Sequence, residues 1–386
     1  MTAPAGDDAP SWAMQERLGA FFAQAGYRPV TTPVLQPVET FLELSGEDIR
    51  RRIFVTQDAN GAELCLRPEF TIPVCRAHHL RNAGEAADYS YCGPIFRLTT
   101  AGPSEVFQAG IESIGREDIA AADAEILGFA IEGLRLLGRP HAAVRFGDMG
   151  LTIALLDALQ VPPPVKRRTL RALAARRPLD EITTVSSHDD PNDGLLTAIE
   201  GQDPSAARVF VENVLSIAGF SHVGGRSAAD IAERFLDKAA AKASGGTGLN
   251  PENRAVIERY QAIKGSPDQA LDALKGLARE ANLQGAAFRQ AIDLFEERIG
   301  FIEARAGTEV DLRFHGGFAR NLDYYTGFIF EIVAGPADAT EAAEGVLVGG
   351  GRYDNLLAQL GSATPLPAVG CSFWLDRIVS SGERHA

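Results

Sequence analysis

The densest group of side chains able to bind a small polar molecule lies in the segment HGGFARNLDYYTGFIFEI, residues 315–332. Arg320, Asp323, Tyr324 and Tyr325 fall within six positions there, with glycines on both sides. An arginine guanidinium is a planar donor that matches a carboxylate, and a buried tyrosine hydroxyl needs a hydrogen-bond partner. The segment therefore indicates either a site for a small carboxylate-bearing ligand or a structural salt bridge where a strand begins.

Two further segments place polar residues where a ligand could meet them. In CLRPEFTIPVCR, Glu69 and Thr71 fall where a strand gives way to a helix. In FQAGIESIG, Gln108 and Glu112 are four positions apart on a predicted strand, so they share one face of a sheet. Each pair taken alone is compatible with a structural role or with ligand binding.

A third segment, VLVGGGRYDNLLAQLG, carries glycines at 349–351, after a short strand and before a helix predicted to begin at Asp354. A glycine turn lets a ligand approach the backbone, and the start of a helix favours an anion. The spacing matches neither a P-loop nor the GxGxxG pattern of dinucleotide-binding proteins.

A basic helix predicted within 165–178 indicates either a solvated face or a surface for a protein partner or an anion.

The composition disfavours several classes of protein. The 386 residues carry 37 basic and 51 acidic side chains, a net charge of −14, which argues against wrapping RNA or DNA through phosphate contacts. No apolar run approaches the roughly 20 residues that span a bilayer, and the acidic N-terminus does not resemble a secretory signal. The four cysteines form no CxxC pair, so we predict a reduced cytoplasmic protein with no metal site and no disulfide framework.

The order of the predicted elements indicates an α+β fold interrupted by helices. Helices and β-hairpins alternate in the first part of the chain, with helices at 11–25, 71–82 and 117–137, and hairpins around Asn60-Gly61 and over 89–115. A mostly helical stretch follows, and strands return at 309–334, 345–349 and 367–374. We therefore predict an antiparallel-sheet core in two parts, residues 1–140 and 301–386, with a mostly helical insertion at 141–300.

Taken in order, these segments resemble the signature motifs of class II aminoacyl-tRNA synthetases, and among them those of histidyl-tRNA synthetase. Three of them, GYRPVTTPVLQP, FR…FQAGIESIG and VGCSFWLDRI, resemble the general class II motifs. Two others, RNLDYYTGFIFE and GGGRYDNLL, are similar to the histidine-specific motifs. The similarity covers roughly residues 10–115 and 300–380. It implies a six-stranded antiparallel sheet flanked by helices, with histidine and ATP bound side by side.

The resemblance also implies a set of histidine-binding residues. Glu69, Thr71 and Gln108 would hold the α-amino group, Glu112 and Tyr325 the imidazole, and Arg320 the carboxylate, with Tyr324 in the same group. The chemistry suits these roles, because an amine needs acceptors, an imidazole N–H needs a carboxylate or phenol, and a carboxylate needs a guanidinium.

The nucleotide half departs from the synthetase pattern. Synthetases usually place a glutamate shortly after the first arginine of the hairpin and a further arginine in its loop. Here Arg97 is followed by Leu98, Thr99 and Thr100, and Glu105 is the only charge before Gln108. A carboxylate repels a triphosphate, and nucleotidyl chemistry needs cations where charge develops. The resemblance therefore implies that two arginines, Arg97 and Arg377, are vestiges of a nucleotide site.

A second departure lies near the C-terminus, where only nine residues follow Arg377. Histidyl-tRNA synthetases continue with an anticodon-binding domain of about a hundred residues, on the usual scale of a domain. We expect this chain to have no anticodon-binding domain and no tRNA surface.

A synthetase-like chain with a histidine pocket, but without a complete ATP site or an anticodon-binding domain, resembles the regulatory-subunit family of ATP phosphoribosyltransferase. Membership would imply a non-catalytic protein, without a cofactor, that binds L-histidine. It would dimerise through the class II core and associate with the short-form catalytic subunit for the first, histidine-inhibited step of histidine biosynthesis. We expect no membrane partner. Two alternatives stay open from the residues: a minimal histidine-activating, synthetase-like enzyme, and a free-standing histidine sensor with another partner.

Overall fold

The computed structural model describes the ranges 12–45, 47–82, 84–100, 102–141, 143–174, 249–283, 285–306, 310–319, 324–335 and 345–383, and a few positions between 177 and 227. The strands in these ranges, in chain order, are β1 (Arg28–Pro29), β2 (Leu35–Pro37), β3 (Val55–Gln57), β4 (Glu63–Leu66), β5 (Ala87–Phe96), β6 (Glu105–Ile114), β7 (Ala143–Asp148), β8 (His222–Val223), β9 (Arg226–Ser227), β10 (Lys264–Gly265), β11 (Asp311–His315), β12 (Phe328–Val333), β13 (Val346–Arg352) and β14 (Ala368–Trp374).

The helices of the described residues surround these strands. They are α1 (Trp12–Gln24), α2 (Val38–Leu44), α3 (Glu47–Arg50), α4 (Thr71–Asn82), α5 (Ile119–Leu136), α6 (Met149–Ala158), α7 (Pro163–Ala174), α8 (Pro251–Gln261), α9 (Pro267–Glu280), α10 (Ala286–Ala306), α11 (Leu356–Gln359) and α12 (Leu375–Glu383). None of them is long and apolar enough to cross a membrane.

One large sheet forms the centre of the molecule. Its strand order is β1-β5-β6-β14-β13-β12-β7-β11-β10. The six strands from β5 to β7 in that order pair antiparallel with one another. At the two sides, β1 runs parallel to β5 and β11 runs parallel to β7. The antiparallel sheet of six strands that the resemblance implied is therefore present, with additions at both edges.

Two strands of the central sheet, β7 and the short edge strand β10, do not follow the predicted division of the chain. β7 lies inside the range 141–300 that we assigned to a helical insertion. It is instead a strand of the central sheet, because its backbone pairs with β12 on one side and with β11 on the other. The sequence does contain a short strand at this position, but nothing local indicates that its partners lie more than 160 residues further along the chain. The other boundaries of the insertion stay a prediction.

The predicted glycine turn at 349–351 is wrong. These glycines lie inside β13, where Gly350 pairs with Phe330 on one side and with Cys371 on the other. The reason is steric, because a Cβ added at Gly350 would lie 2.6 Å from both the Phe330 ring and the carbonyl oxygen of Gly370. The glycines therefore allow close packing within the sheet, and they do not form an anion-binding turn.

Helices α5 and α10 pack in the core on one face of the sheet, and the sequence of α10 shows why. α10 carries apolar residues at intervals of four and three positions, which form one stripe along a helix. All five are at most 4% exposed: Phe288, Ile292, Phe295, Ile299 and Ile302. They pack in one core with α5 and with Phe146 of β7, whose ring is 6.2 Å from that of Phe295. Helix α7, which the sequence predicted as a basic helix, buries Val165 and Thr169. That its basic residues form a surface for a partner stays a prediction.

A buried ion-pair network ties these helices to the sheet. Arg298 of α10 contacts Asp123 of α5 at 2.7 Å and Asp148, which caps α6, at 2.5 Å. The same Asp123 contacts Arg352 of β13 at 2.7 Å, and Arg352 contacts Asp354 at 2.8 Å. Arg298, Asp123 and Arg352 are at most 2% exposed. One aspartate therefore joins two helices and a central strand.

A second, smaller core lies on the opposite face of the sheet. The alternation of β14 shows the division, because Val369, Cys371 and Phe373 belong to the helix-covered core whereas Ala368 and Trp374 belong to the second one. The second core is completed by α2, α4 and α11. The candidate site lies on this face.

Candidate functional site

The floor of the site is formed by β6 and β14. Three pairs of opposed residues face the second core: Gln108 with Trp374, Gly110 with Ser372, and Glu112 with Gly370. Opposed residues on antiparallel strands share one face. The sequence-based prediction that Gln108 and Glu112 lie on one face is confirmed, because both are buried on it.

Glu112 is enclosed by hydroxyl groups. Its Oε1 accepts hydrogen bonds from the Thr71 hydroxyl at 2.8 Å and from the Tyr91 hydroxyl at 3.3 Å, and its Oε2 accepts one from the Tyr353 hydroxyl. The residue is 1% exposed. These donors come from α4, β5 and the end of β13, so three separate segments fix one carboxylate.

Glu69 lies beside this group at the start of α4. Its carboxylate accepts hydrogen bonds from the backbone N–H groups of Thr71 and Ile72, each at 2.8 Å. The Tyr324 hydroxyl donates to it from 3.5 Å. The first N–H groups of a helix have no partner within the helix, so Glu69 satisfies two of them and its charge suits the helix N-terminus. A local role as a helix cap therefore accompanies any role in binding.

Burial governs the protonation of both carboxyl groups. Loss of hydration raises the pKa of Glu112 to about 8, the nearby charge of Glu69 adds to the rise, and the hydroxyl donors oppose it. Burial also raises the pKa of Glu69, against its backbone hydrogen bonds and the charge of Arg97. No cationic side chain of the described residues hydrogen-bonds to either carboxylate. The two form an acidic cluster that would be stabilised by a cationic or N–H-bearing ligand.

Gln108 adds an acceptor to this cluster. The residue is 2% exposed, and its Oε1 has no hydrogen-bond partner among the described residues. A buried acceptor without a partner is costly and needs an explanation. A ligand that brings a donor to this face of the sheet would provide one.

The tyrosine segment approaches the same face, but only part of it is described. The rings of Tyr324 and Tyr325 have centroids 5.0 Å apart, and Tyr324 reaches Glu69. A Cβ added at Gly351 would lie 2.8 Å from Cε1 of Tyr325, so this glycine leaves room for the ring. The predicted residues Arg320 and Asp323 lie outside the described residues.

The two arginines predicted as vestiges of a nucleotide site come together around one aromatic ring. The guanidinium carbon of Arg97 lies 4.9 Å from the centroid of the Trp374 ring, and that of Arg377 lies 4.1 Å from it. Arg97 also donates to the carbonyl of Pro68 at 2.7 Å, and Arg377 donates to that of Val346 at 3.1 Å. The tryptophan was not singled out from the sequence.

Comparisons with known proteins identify the family of this chain. The family model for histidyl-tRNA synthetase matches residues 10–209 and 208–378. The ATP phosphoribosyltransferase regulatory subunit of Agrobacterium fabrum is 39% identical over 377 residues, which is 96% of each chain. That of Mesorhizobium japonicum is 38% identical over 379 residues, covering 96% of this chain and 98% of the relative.

The chain belongs to the family of ATP phosphoribosyltransferase regulatory subunits, whose fold is that of histidyl-tRNA synthetase.

Solved structures agree with the fold of this regulatory-subunit family. An ATP phosphoribosyltransferase regulatory subunit/histidyl-tRNA synthetase from Bacillus halodurans superposes with a TM-score of 0.64 at 20% identity, covering 99% of this chain and 83% of that one. The histidyl-tRNA synthetase of Nostoc sp. PCC 7120 gives 0.61 at 18% identity, covering 100% of this chain and 76% of that one. The predicted class II, synthetase-like α+β fold is therefore confirmed.

Besides Trp374, two residues that shape the site of this family member were not predicted from the sequence, Tyr91 and Tyr353. Tyr91 stands opposite Gly110 in the β5–β6 hairpin, and a Cβ at that glycine would lie 2.4 Å from the tyrosine hydroxyl. The pairing of a large residue with a glycine across a hairpin was a usable signal, but it required the register. Tyr353 directly follows the glycine-rich strand β13, between the glycines that we interpreted as a turn and the predicted start of a helix at Asp354.

Gly370 is the position where the packing around Glu112 is tightest. A Cβ there would lie 1.7 Å from Oε2 of Glu112. We therefore expect Gly370→Ala to displace the carboxylate and to lower the free energy of unfolding by about 1–3 kcal/mol, as overpacking usually does. Urea denaturation measures this. Gly276→Ala in helix α9 is the matched control, because no atom of the described residues lies within 4 Å of a Cβ added there, and it should stabilise by about 0.5–1 kcal/mol. Equal effects would contradict the packing argument.

The raised pKa of Glu112 predicts how stability depends on pH. A carboxyl group whose pKa is about 8 in the folded state and near its ordinary value of 4.5 in the unfolded state binds more protons when folded between those pH values. Stability is then lost as pH rises from about 4.5 to 8. We expect the melting temperature of the wild type to fall relative to that of Glu112→Gln over this range. A constant difference between the two proteins from pH 5 to pH 8 would contradict this.

Proposed function

We propose that this protein is a non-catalytic regulatory subunit of ATP phosphoribosyltransferase that binds L-histidine on the second face of its sheet. The observation that carries the proposal is the pair of buried carboxylates, Glu69 and Glu112, to which no cationic side chain of the described residues hydrogen-bonds. An amino acid that bears an ammonium group and an imidazole supplies the N–H donors that this cluster needs.

The assignment of ligand groups follows the chemistry of each residue. Glu69, Thr71 and Gln108 receive the α-amino group, and the unpartnered Oε1 of Gln108 supports that role. Glu112 and Tyr325 receive the imidazole, with Tyr324 beside them. We assign Arg320 to the ligand carboxylate, because a guanidinium matches it chemically.

The relatives' names support the partner. Proteins that are 38–39% identical to this chain are called regulatory subunits of ATP phosphoribosyltransferase. We propose that this chain dimerises through its core, joins the short-form catalytic subunit in the cytoplasm, and is needed for the first step of histidine biosynthesis. Histidine would act by binding one state of the complex more tightly than the other, and such couplings amount to about 1–3 kcal/mol.

Three measurements test the proposal. Co-purification with the short-form catalytic subunit should give a complex whose phosphoribosyl transfer depends on this chain, and calorimetry should detect histidine binding to the chain alone. Histidine-dependent exchange between ATP and pyrophosphate should be absent. Exchange by the purified chain would instead support the alternative of a histidine-activating enzyme.

Arg320→Ala tests the orientation of the ligand. Without the guanidinium the histidine carboxylate loses a charged hydrogen bond, so we expect affinity to fall by at least about tenfold. Calorimetry with L-histidine measures the change, and histamine, which lacks the carboxylate, should bind the wild type and the variant equally. An unchanged affinity for L-histidine would reject this residue as a ligand.

A further inference from the structure

The ligand-facing side of β14 changes abruptly in size. Gly370, Ser372 and Trp374 occupy every second position of the strand on this side, so two small residues are followed by a tryptophan. The small residues make room for Glu112 and for Tyr91, whose hydroxyl lies 2.6 Å from that of Ser372. Trp374 stands opposite Gln108 and is only 8% exposed. The indole therefore closes the face just beyond the acceptor that we assign to the α-amino group.

The ring is held by the two arginines described above. Arg97 and Arg377 both lie over it, and each guanidinium is also oriented by a hydrogen bond to a backbone carbonyl. A guanidinium stacks favourably on an aromatic face, and a stacked face is no longer open to another planar group. The indole thus occupies one stacking surface of each arginine.

The neighbouring charges also disfavour an anion. Asp376 lies beside Arg377 in the chain and accepts a hydrogen bond from the backbone N–H of Phe107 at 2.6 Å. Burial raises the pKa of Asp376 and the charge of Glu105 adds to the rise, whereas the hydrogen bond from Phe107 and the charge of Arg377 oppose it. Two acidic residues, Glu105 and Asp376, therefore lie near the positive charge of Arg377.

A purine nucleotide bound here would need to contact the guanidinium groups that already lie over this indole. Its base would stack on a guanidinium, and its phosphates would accept charged hydrogen bonds from the same arginines. We propose that Trp374 is a specificity-determining residue that confines the site to a free amino acid, because its indole takes the stacking position that a nucleotide base would require. This inference rests on the proposed histidine site, and it names Trp374 as the residue that excludes a nucleotide from that site.

The test compares nucleotide binding by the full-length wild type, Trp374→Ala and Trp374→Phe. Calorimetry with magnesium-ATP, in the absence of histidine, should show binding by the alanine variant that is roughly 10- to 100-fold tighter than by the wild type, the range that loss or gain of base stacking produces. The phenylalanine variant keeps an aromatic face and should resemble the wild type. Equal ATP affinity in the wild type and a folded alanine variant would overturn the proposal.

A second measurement does not depend on the stability of the alanine variant. The chain has two tryptophans, so Trp12→Phe leaves Trp374 as the only one. Its fluorescence should be unaffected by magnesium-ATP, and a saturable change would overturn the proposal. Titration of the wild type with L-histidine separates the two hypotheses, since absence of histidine binding would refute the proposed function without bearing on the exclusion of ATP.

Discussion

Asp123→Asn should lower the free energy of unfolding by about 3–5 kcal/mol. The substitution preserves the shape of the side chain and removes its charge, so the loss is not confounded by a cavity. The carboxylate is fully buried and serves two guanidiniums, Arg298 at 2.7 Å and Arg352 at 2.7 Å. Removing it leaves two buried positive charges close together, and among the described residues Asp148 and Asp354 are the carboxylates that still pair with them.

The matched control for this prediction is Asp311→Asn. Asp311 contacts Arg313 at 2.8 Å, but the two side chains are 48% and 37% exposed. Solvated pairs of this kind contribute at most about 1 kcal/mol. Urea denaturation of the three proteins gives the comparison. A loss in Asp123→Asn no greater than that in the control would mean that water or rearrangement compensates the buried arginines.

Glu112→Gln should weaken the binding of L-histidine by about 10- to 100-fold, the range expected for loss of a hydrogen bond to a charged group. The amide retains the size of the side chain, but it cannot ionise when the ligand brings an N–H group to it. Because the pKa of Glu112 is raised to about 8, the wild-type carboxylate ionises increasingly as the pH approaches 8. The difference in affinity between the wild type and the variant should therefore widen from pH 6 to pH 8.

Calorimetry at several pH values measures this difference. Glu117→Gln is the matched control, since Glu117 lies just beyond the end of the same strand and is exposed. It should leave histidine binding unchanged. A Glu112→Gln variant that binds histidine as tightly as the control would remove Glu112 from the proposed pocket.

Local patterns predicted the elements that carry the site, but not how distant segments meet. The helix over 71–82 and the hairpin over 89–115 are found where the periodicity placed them, because their signals lie within a few adjacent turns or strands. The shared face of Gln108 and Glu112 follows from the two-residue repeat of a strand alone.

The remaining features depend on long-range pairing. Tyr353 reaches Glu112 only because β13 and β6 are both neighbours of β14. For the same reason, the missing side chain of Gly370 leaves space for Glu112. No local pattern contains that arrangement. The same limit explains the misplaced glycine turn, since glycines 349–351 suit both a turn and a tightly packed central strand, and only the partners β12 and β14 decide between them.

The position of β14 in the sheet has a consequence for how the protein is made. β14 pairs along its whole length with β6, from which it is separated by roughly 250 residues. A ribosome adding about 5–20 residues per second needs roughly 10–50 s to synthesise that interval. During this time the β5–β6 hairpin has an open edge, and exposed strand edges can pair with other chains. The nascent polypeptide therefore has to delay closure of its sheet until translation is almost complete, which makes it a natural client for chaperones that shield such edges.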